Sequence, residues 1–172
     1  MFDEFRGIPA HPLLLHAAVI FIPLLAFGSI CYIVVPVLRP RIRWVVALLA
    51  AVAPASAVLT KLSGDALRTR LMGHGVSGQT LVDINRHRDL GNLTMWLTIG
   101  LAAVTVFFLL GTASNPAEPP RDKARRFWVP VKRAPYVLLT ILGVLAAGLA
   151  LASLYYVFQT GDLGAHLKWD GV

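Results

Sequence analysis

Cysteine is almost missing from these 172 residues: Cys31 is the single thiol. One thiol makes no internal disulfide, no thiolate cluster for zinc or iron-sulfur and no C-x-x-C-H haem attachment, and on an apolar helix it reads as an inert small hydrophobe. Charge is scarce as well, at 15% Asp, Glu, Lys and Arg against the roughly 25% of a soluble domain. No glycine loop followed by lysine is present to cradle phosphate, and Ser63 and Ser77 lack a nucleophile-elbow context. Common nucleotide and serine-hydrolase chemistries are thereby set aside. The middles of the apolar segments carry no charge, which argues against a transporter.

What is present is hydrophobic. Leu, Ala and Val dominate a chain that is 56% hydrophobic, and the apolar residues fall into four blocks at 12–37, 44–60, 93–110 and 136–158. Roughly 20 helical residues cross a bilayer core, so each block spans. The expectation is an all-α integral membrane protein, one transmembrane domain over 1–172, folded as a four-helix antiparallel bundle in contact with the lipid bilayer. The leader "MFDEFRG" is not basic and no small-x-small site closes the first block, so that block reads as a retained helix rather than a secretory signal.

Charge sets the orientation. The loops at 38–43 and 112–135 hold nine basic residues against Glu118 and Asp122, whereas the other side balances seven Lys and Arg with seven Asp and Glu. The positive-inside rule then places both termini and the 61–92 connection outside a bacterial inner membrane. The basic stretch "PPRDKARRFWVPVKRAP" reads as this orientation signal, touching anionic lipid and not nucleic acid.

In the 61–92 connection, Ser63 and Gly64 are expected to break the second span, with Asp65 capping a short extra helix over 66–72. "GHGVSG" reads as a turn. From Thr80, Leu81, Ile84, His87, Leu90 and Gly91 recur at helical spacing, which puts His87 on the inward face of a helix leading into the third span. Gly143 with Ala147, and Ala53 with Ala57, are small pairs at four-residue spacing that suit close packing, within one bundle or between copies in a homo-oligomer.

All five histidines, His11, His16, His74, His87 and His166, fall on the same side of these four spans. A polar ring entering hydrocarbon needs a partner. His11 and His16 are five residues apart, about 140° around a helix, so one ion cannot use both from a single face. Pro12 fits a first helical turn, which leaves His11 to the entry turn and makes His16 the expected ligand, facing His87. Gly91 then leaves room for a flat ring, and Arg86 and Arg88 neutralise propionates. Asp65, with His16, His87 and His11, forms an alternative set for zinc, copper or iron. Hydrogen bonding of these histidines to Asp65, Asp83 or backbone carbonyls explains the same residues without any cofactor.

"IPAHPLLLH", "LSGDAL" and "HRDLGN" together resemble the pattern of an uncharacterised family of four-helix bacterial membrane proteins, a domain of unknown function. The resemblance runs over roughly residues 5–160 and matches at His11, Pro12, His16, Gly64, Asp65 and His87. Members sometimes occur joined to Rieske-type iron-sulfur domains, which implies a redox setting similar in logic to small b-type cytochromes. One cysteine cannot supply a Rieske cluster's ligands here. Three expectations follow: electron transfer through haem b held by His16 and His87, with an extracytoplasmic redox partner; binding of a non-haem transition metal; or a cofactor-free accessory subunit of a membrane complex. The second of these leaves room for a metal-dependent enzyme, and the balance favours an electron-transfer or accessory membrane protein over a stand-alone enzyme.

Overall fold

A computed structural model describes residues 4–5, 8–113 and 136–169. A minimal antiparallel pairing of β1 (Glu4–Phe5) with β2 (Ile8–Pro9) precedes four long helices: α1 (Ala10–Val34), α2 (Arg39–Gly73), α3 (Gln79–Ala113) and α4 (Tyr136–Trp169). Each helix is long and apolar enough to cross a membrane. Neighbours in sequence pack side by side, α4 closes on α1, and α1 and α3 face each other across the diagonal. The result is the expected antiparallel four-helix bundle. The basic loop at 114–135, which carries most of the orientation signal, lies outside the described residues.

Local chemistry explains the ends. Pro12 sits in the first turn of α1, where its missing N–H costs nothing. Val35 leaves the helix (φ −117°, ψ 83°) because Pro36 follows it, and a single 3-10 turn at Pro36–Leu38 leads into α2. Arg39 turns back to donate from Nε to the Tyr32 carbonyl (2.9 Å) and from Nη2 to the Ile33 carbonyl (2.9 Å). It thereby satisfies acceptors that the end of α1 leaves open. Its guanidinium also lies 5.4 Å from the Phe108 ring centroid and 5.7 Å from that of Tyr32.

The second span does not break at Ser63 and Gly64. The short helix expected over 66–72 is helical but not separate, forming the last turns of a continuous α2. Ser63 Oγ donates to the Thr60 carbonyl (2.9 Å), a bond made within the helix. Gly64 is there for space, since a Cβ would stand 3.0 Å from Cε1 of His11. The turn at 74–78 is as the sequence implies, with Gly75 and Gly78 at φ +84° and +68°.

The middle of the bundle is built from Leu25 and Ala26 of α1, Ala50 and Ala53 of α2, Leu101 and Ala102 of α3, and Ala146 and Ala150 of α4. Alanines on α2 and α4 let those helices pack closely on α1 and α3, whose paired leucines fill the centre. Ala53 and Ala57 are buried in this core, and a Cβ on Gly143 would meet Ile33 and Phe108 at 3.4 and 3.5 Å. These small residues therefore serve packing within one bundle. Ser29 and Thr105 share a buried hydrogen bond (3.0 Å) across the α1–α3 diagonal, and Tyr32 packs edge-on against Phe108.

Candidate functional site

Two of the five histidines meet. His11 of α1 and His87 of α3 approach across the diagonal at the end of the bundle that holds both chain termini. Their ring centroids are 6.3 Å apart and their planes cross at 86°. Because α1 begins at Ala10, His11 is already on the helix and not in a preceding turn. Its position on that helix aims it inward. His16, about 140° further round, is exposed, its Nδ1 donating to the Pro12 carbonyl at 2.5 Å. The expectation that His16 faces His87 is corrected accordingly: His11 takes that place. His74 is exposed in the α2–α3 turn, and His166 is exposed on α4 with Nε2 3.8 Å from Asp162 Oδ1.

The His11 ring is held on two sides. Nδ1 lies 3.0 Å from the Thr60 carbonyl and 3.1 Å from Ser63 Oγ. A carbonyl only accepts, and Ser63 already donates its hydrogen to that carbonyl, so Nδ1 carries the proton and Nε2 keeps its lone pair. Histidines that ligate metals are oriented in this manner, the distal N–H given to a backbone carbonyl. Thr60 is itself pinned, its hydroxyl donating to the Leu14 carbonyl at 3.0 Å. Gly64 supplies the notch in which the ring lies.

His87 has a matching notch on α4. A Cβ on Gly164 would stand 2.9 Å from Cε1 of His87, closer than real atoms approach. Nδ1 of His87 is buried and has no hydrogen-bond partner among the described residues. The Thr160 backbone interacts with the ring without reaching hydrogen-bond geometry at Nδ1. The Thr160 hydroxyl donates to the Tyr156 carbonyl (2.7 Å) and touches Thr94 Oγ1 at 3.1 Å.

The remaining residues singled out by sequence surround this pair with other tasks. Gly91 faces α4, where a Cβ would make ordinary contact with Thr160 at 3.8 Å, so its small size serves helix packing. Both carboxylate oxygens of Asp65 are engaged, Oδ1 by Arg88 Nε at 2.7 Å and Oδ2 by Lys61 Nζ. With Arg68 Nε donating to Asn85 Oδ1 at 2.8 Å, these contacts clasp α2 to α3. Arg86 is exposed and lines an open groove of about 500 Å³ with Val82, Asn85, Asp89, Leu90 and Leu93. Among the described residues, no group of three His, Cys, Asp or Glu gathers as a metal site.

No protein-family model, curated protein or solved structure matches the chain. Thr60, Ser63, Thr160 and Gly164 are the contributors that the sequence reading passes over as ligand-supporting groups. A usable signal was available, because Thr-x-x-x-Gly-x-x-Leu occurs at 60–67 and again at 160–167.

The clasp makes a separable prediction. Asp65→Asn loosens a partly exposed ion-pair network and so shifts the thermal unfolding midpoint in detergent only slightly. It leaves cofactor content unchanged. A metal or haem loss matching that of a His11 variant, measured on the same preparation, would make Asp65 a ligand.

Proposed function

We propose that this chain is a small membrane redox protein that holds one b-type haem between His11 and His87 and exchanges electrons with a partner at the terminal end of the bundle. The observation that supports it is the spacing of the two rings. Two imidazoles on opposite sides of one metal, with metal–nitrogen bonds of about 2.0 Å, have centroids about 6 Å apart, and the observed separation is 6.3 Å. No third His, Cys, Asp or Glu gathers with the pair among the described residues, and a haem would bring the remaining nitrogen ligands of its iron. Gly64 and Gly164 make the notches in which the two rings are seated, and Nδ1 of His87 is buried without a hydrogen-bond partner among the described residues.

His11 and His87 would hold the haem, which would supply one-electron transfer. The chain's own part is to fix the His11 tautomer through Thr60 and Ser63, to keep the rings apart by diagonal helix packing, and to seat the pair beside water. The apolar block of α3 starts at Leu93, about 9 Å beyond His87 along the helix. By the positive-inside rule this end faces outward from a bacterial inner membrane, where a redox partner reaches it.

Protein purified from cells supplied with haem is expected to show a Soret band with low-spin visible bands, at one haem per chain. Ring planes crossed at 86° predict a further signature. The oxidised protein should give the highly anisotropic low-spin EPR signal of perpendicular axial imidazoles, and a rhombic signal of parallel planes would contradict the ring geometry. Stoichiometric copper, zinc or iron without a Soret band would turn the proposal into a non-haem metal site on the same pair. No metal and no haem would leave a cofactor-free accessory protein.

A further inference from the structure

The α1–α2 and α3–α4 hairpins repeat each other. The buried face of α1 comprises Ala18, Ile22, Leu25, Ala26, Ser29 and Tyr32; that of α3 includes Thr94, Thr98, Leu101, Ala102, Thr105 and Phe108. Each α3 residue lies the same step along the chain from its α1 counterpart, 76 residues, as 29 to 105 shows. The second helices match likewise: buried Val46, Ala50 and Ala53 correspond to buried Ala146, Ala150 and Ser153 at a step of 100 residues, as 50 to 150 shows. The two steps differ because the loop before α4 is longer than the one before α2.

Counterparts also touch one another. Ser29 bonds to Thr105, Tyr32 packs on Phe108, and His11 meets His87, three contacts spread along the bundle from one end to the other. Equivalent residues of two units make contact only where an axis relating the units passes between them. That axis therefore runs along the bundle, and the histidine pair lies on it. The α2–α4 step carries the surroundings of the site too, since Thr60 corresponds to Thr160 and Gly64 to Gly164. Each glycine takes the imidazole of its own hairpin, with Cβ positions 3.0 and 2.9 Å from the respective Cε1 atoms.

We infer that the site consists of two halves related by this axis, His11–Thr60–Gly64 and His87–Thr160–Gly164, which differ in that Ser63 stands beside the first and Leu163 takes its place in the second, and that a haem held there lies with its plane along the pseudo-two-fold axis. This inference rests on the haem reading above and goes beyond it, for it assigns Thr160 and Gly164 as the second half's supports and fixes how the macrocycle is oriented. The two faces of the ring meet equivalent histidines. Its two lateral edges meet equivalent glycine-bearing helices. Its propionates run along the axis toward the terminal end of the bundle.

A site with this pseudo-two-fold symmetry discriminates only weakly between the two ways of inserting an asymmetric ring. Haem b has methyl and vinyl groups arranged differently on either side of the line between its propionates. Turning it over exchanges those patterns while leaving iron, histidines and propionates in place. Two bound orientations follow.

The test is proton NMR of the oxidised holoprotein in detergent, reading the paramagnetically shifted haem-methyl resonances. Two sets are expected, with populations within about tenfold of each other. Reconstitution with a synthetic haem whose substituents are symmetric about the propionate line should collapse them to one. A single set with haem b, in a protein that shows the low-spin spectrum, overturns the two-fold assignment and leaves the haem reading standing. Failure of the folded protein to take up either haem removes both.

Discussion

Replacing His11 or His87 by alanine abolishes the low-spin haem spectrum, whereas replacing His16 leaves it intact. The contrast comes from where the rings lie. His11 and His87 face each other across the diagonal, and His16 is exposed with its Nδ1 spent on the Pro12 carbonyl. Losing one axial imidazole takes the iron out of bis-histidine ligation, so the effect is loss of the spectral type and not a shift in its intensity. Helical circular dichroism separates this outcome from misfolding. Where an alanine variant misfolds, the glycine variant reconstituted in imidazole supplies the missing ring from solution and restores the bands. Retention of the low-spin spectrum in His11→Ala, with its loss in His16→Ala, would return the ligand role to His16.

Gly164→Ala is expected to weaken cofactor affinity by about 10–100-fold, the range typical of groups that orient a ligating histidine. The added methyl would stand 2.9 Å from Cε1 of His87, and the ring must move away to admit it. Gly64→Ala acts on His11 in the same manner at 3.0 Å. Gly148, on the same helix, is the control, because a Cβ there meets nothing within 4 Å. In isolation, alanine favours a helix interior over glycine by about 1 kcal/mol. Reduced affinity at 64 and 164, with Gly148→Ala equal to the parent in a haem titration, therefore reports crowding of the rings. Equal affinity in all three variants would mean that the notches play no part in binding.

The four helices were legible because a span of apolar residues has one meaning in a chain with so little charge. His87 was legible too, since its neighbours Ile84, Leu90 and Gly91 repeat at three and four residues. The choice between His11 and His16 was not. It turned on whether His11 stands on α1 or before it, and proline in a first turn fits either start. Gly64 misled for a related reason. A glycine that ends a helix and a glycine that admits a neighbour's ring are the same letter, and only the partner from another helix distinguishes them. Thr160 and Gly164 carry no charge and stand in no familiar motif, so their part shows only once α4 is placed against α3.

The diagonal placement of the two histidines also bears on how the protein is made. His11 arrives with the first helix to emerge and His87 with the third, and the glycine beneath His87 arrives with the last. A nascent chain that has inserted one hairpin holds a single oriented imidazole and nothing opposite it. On the haem reading, cofactor loading waits for the final helix to seat, and the bound group would act as a seal on complete membrane insertion.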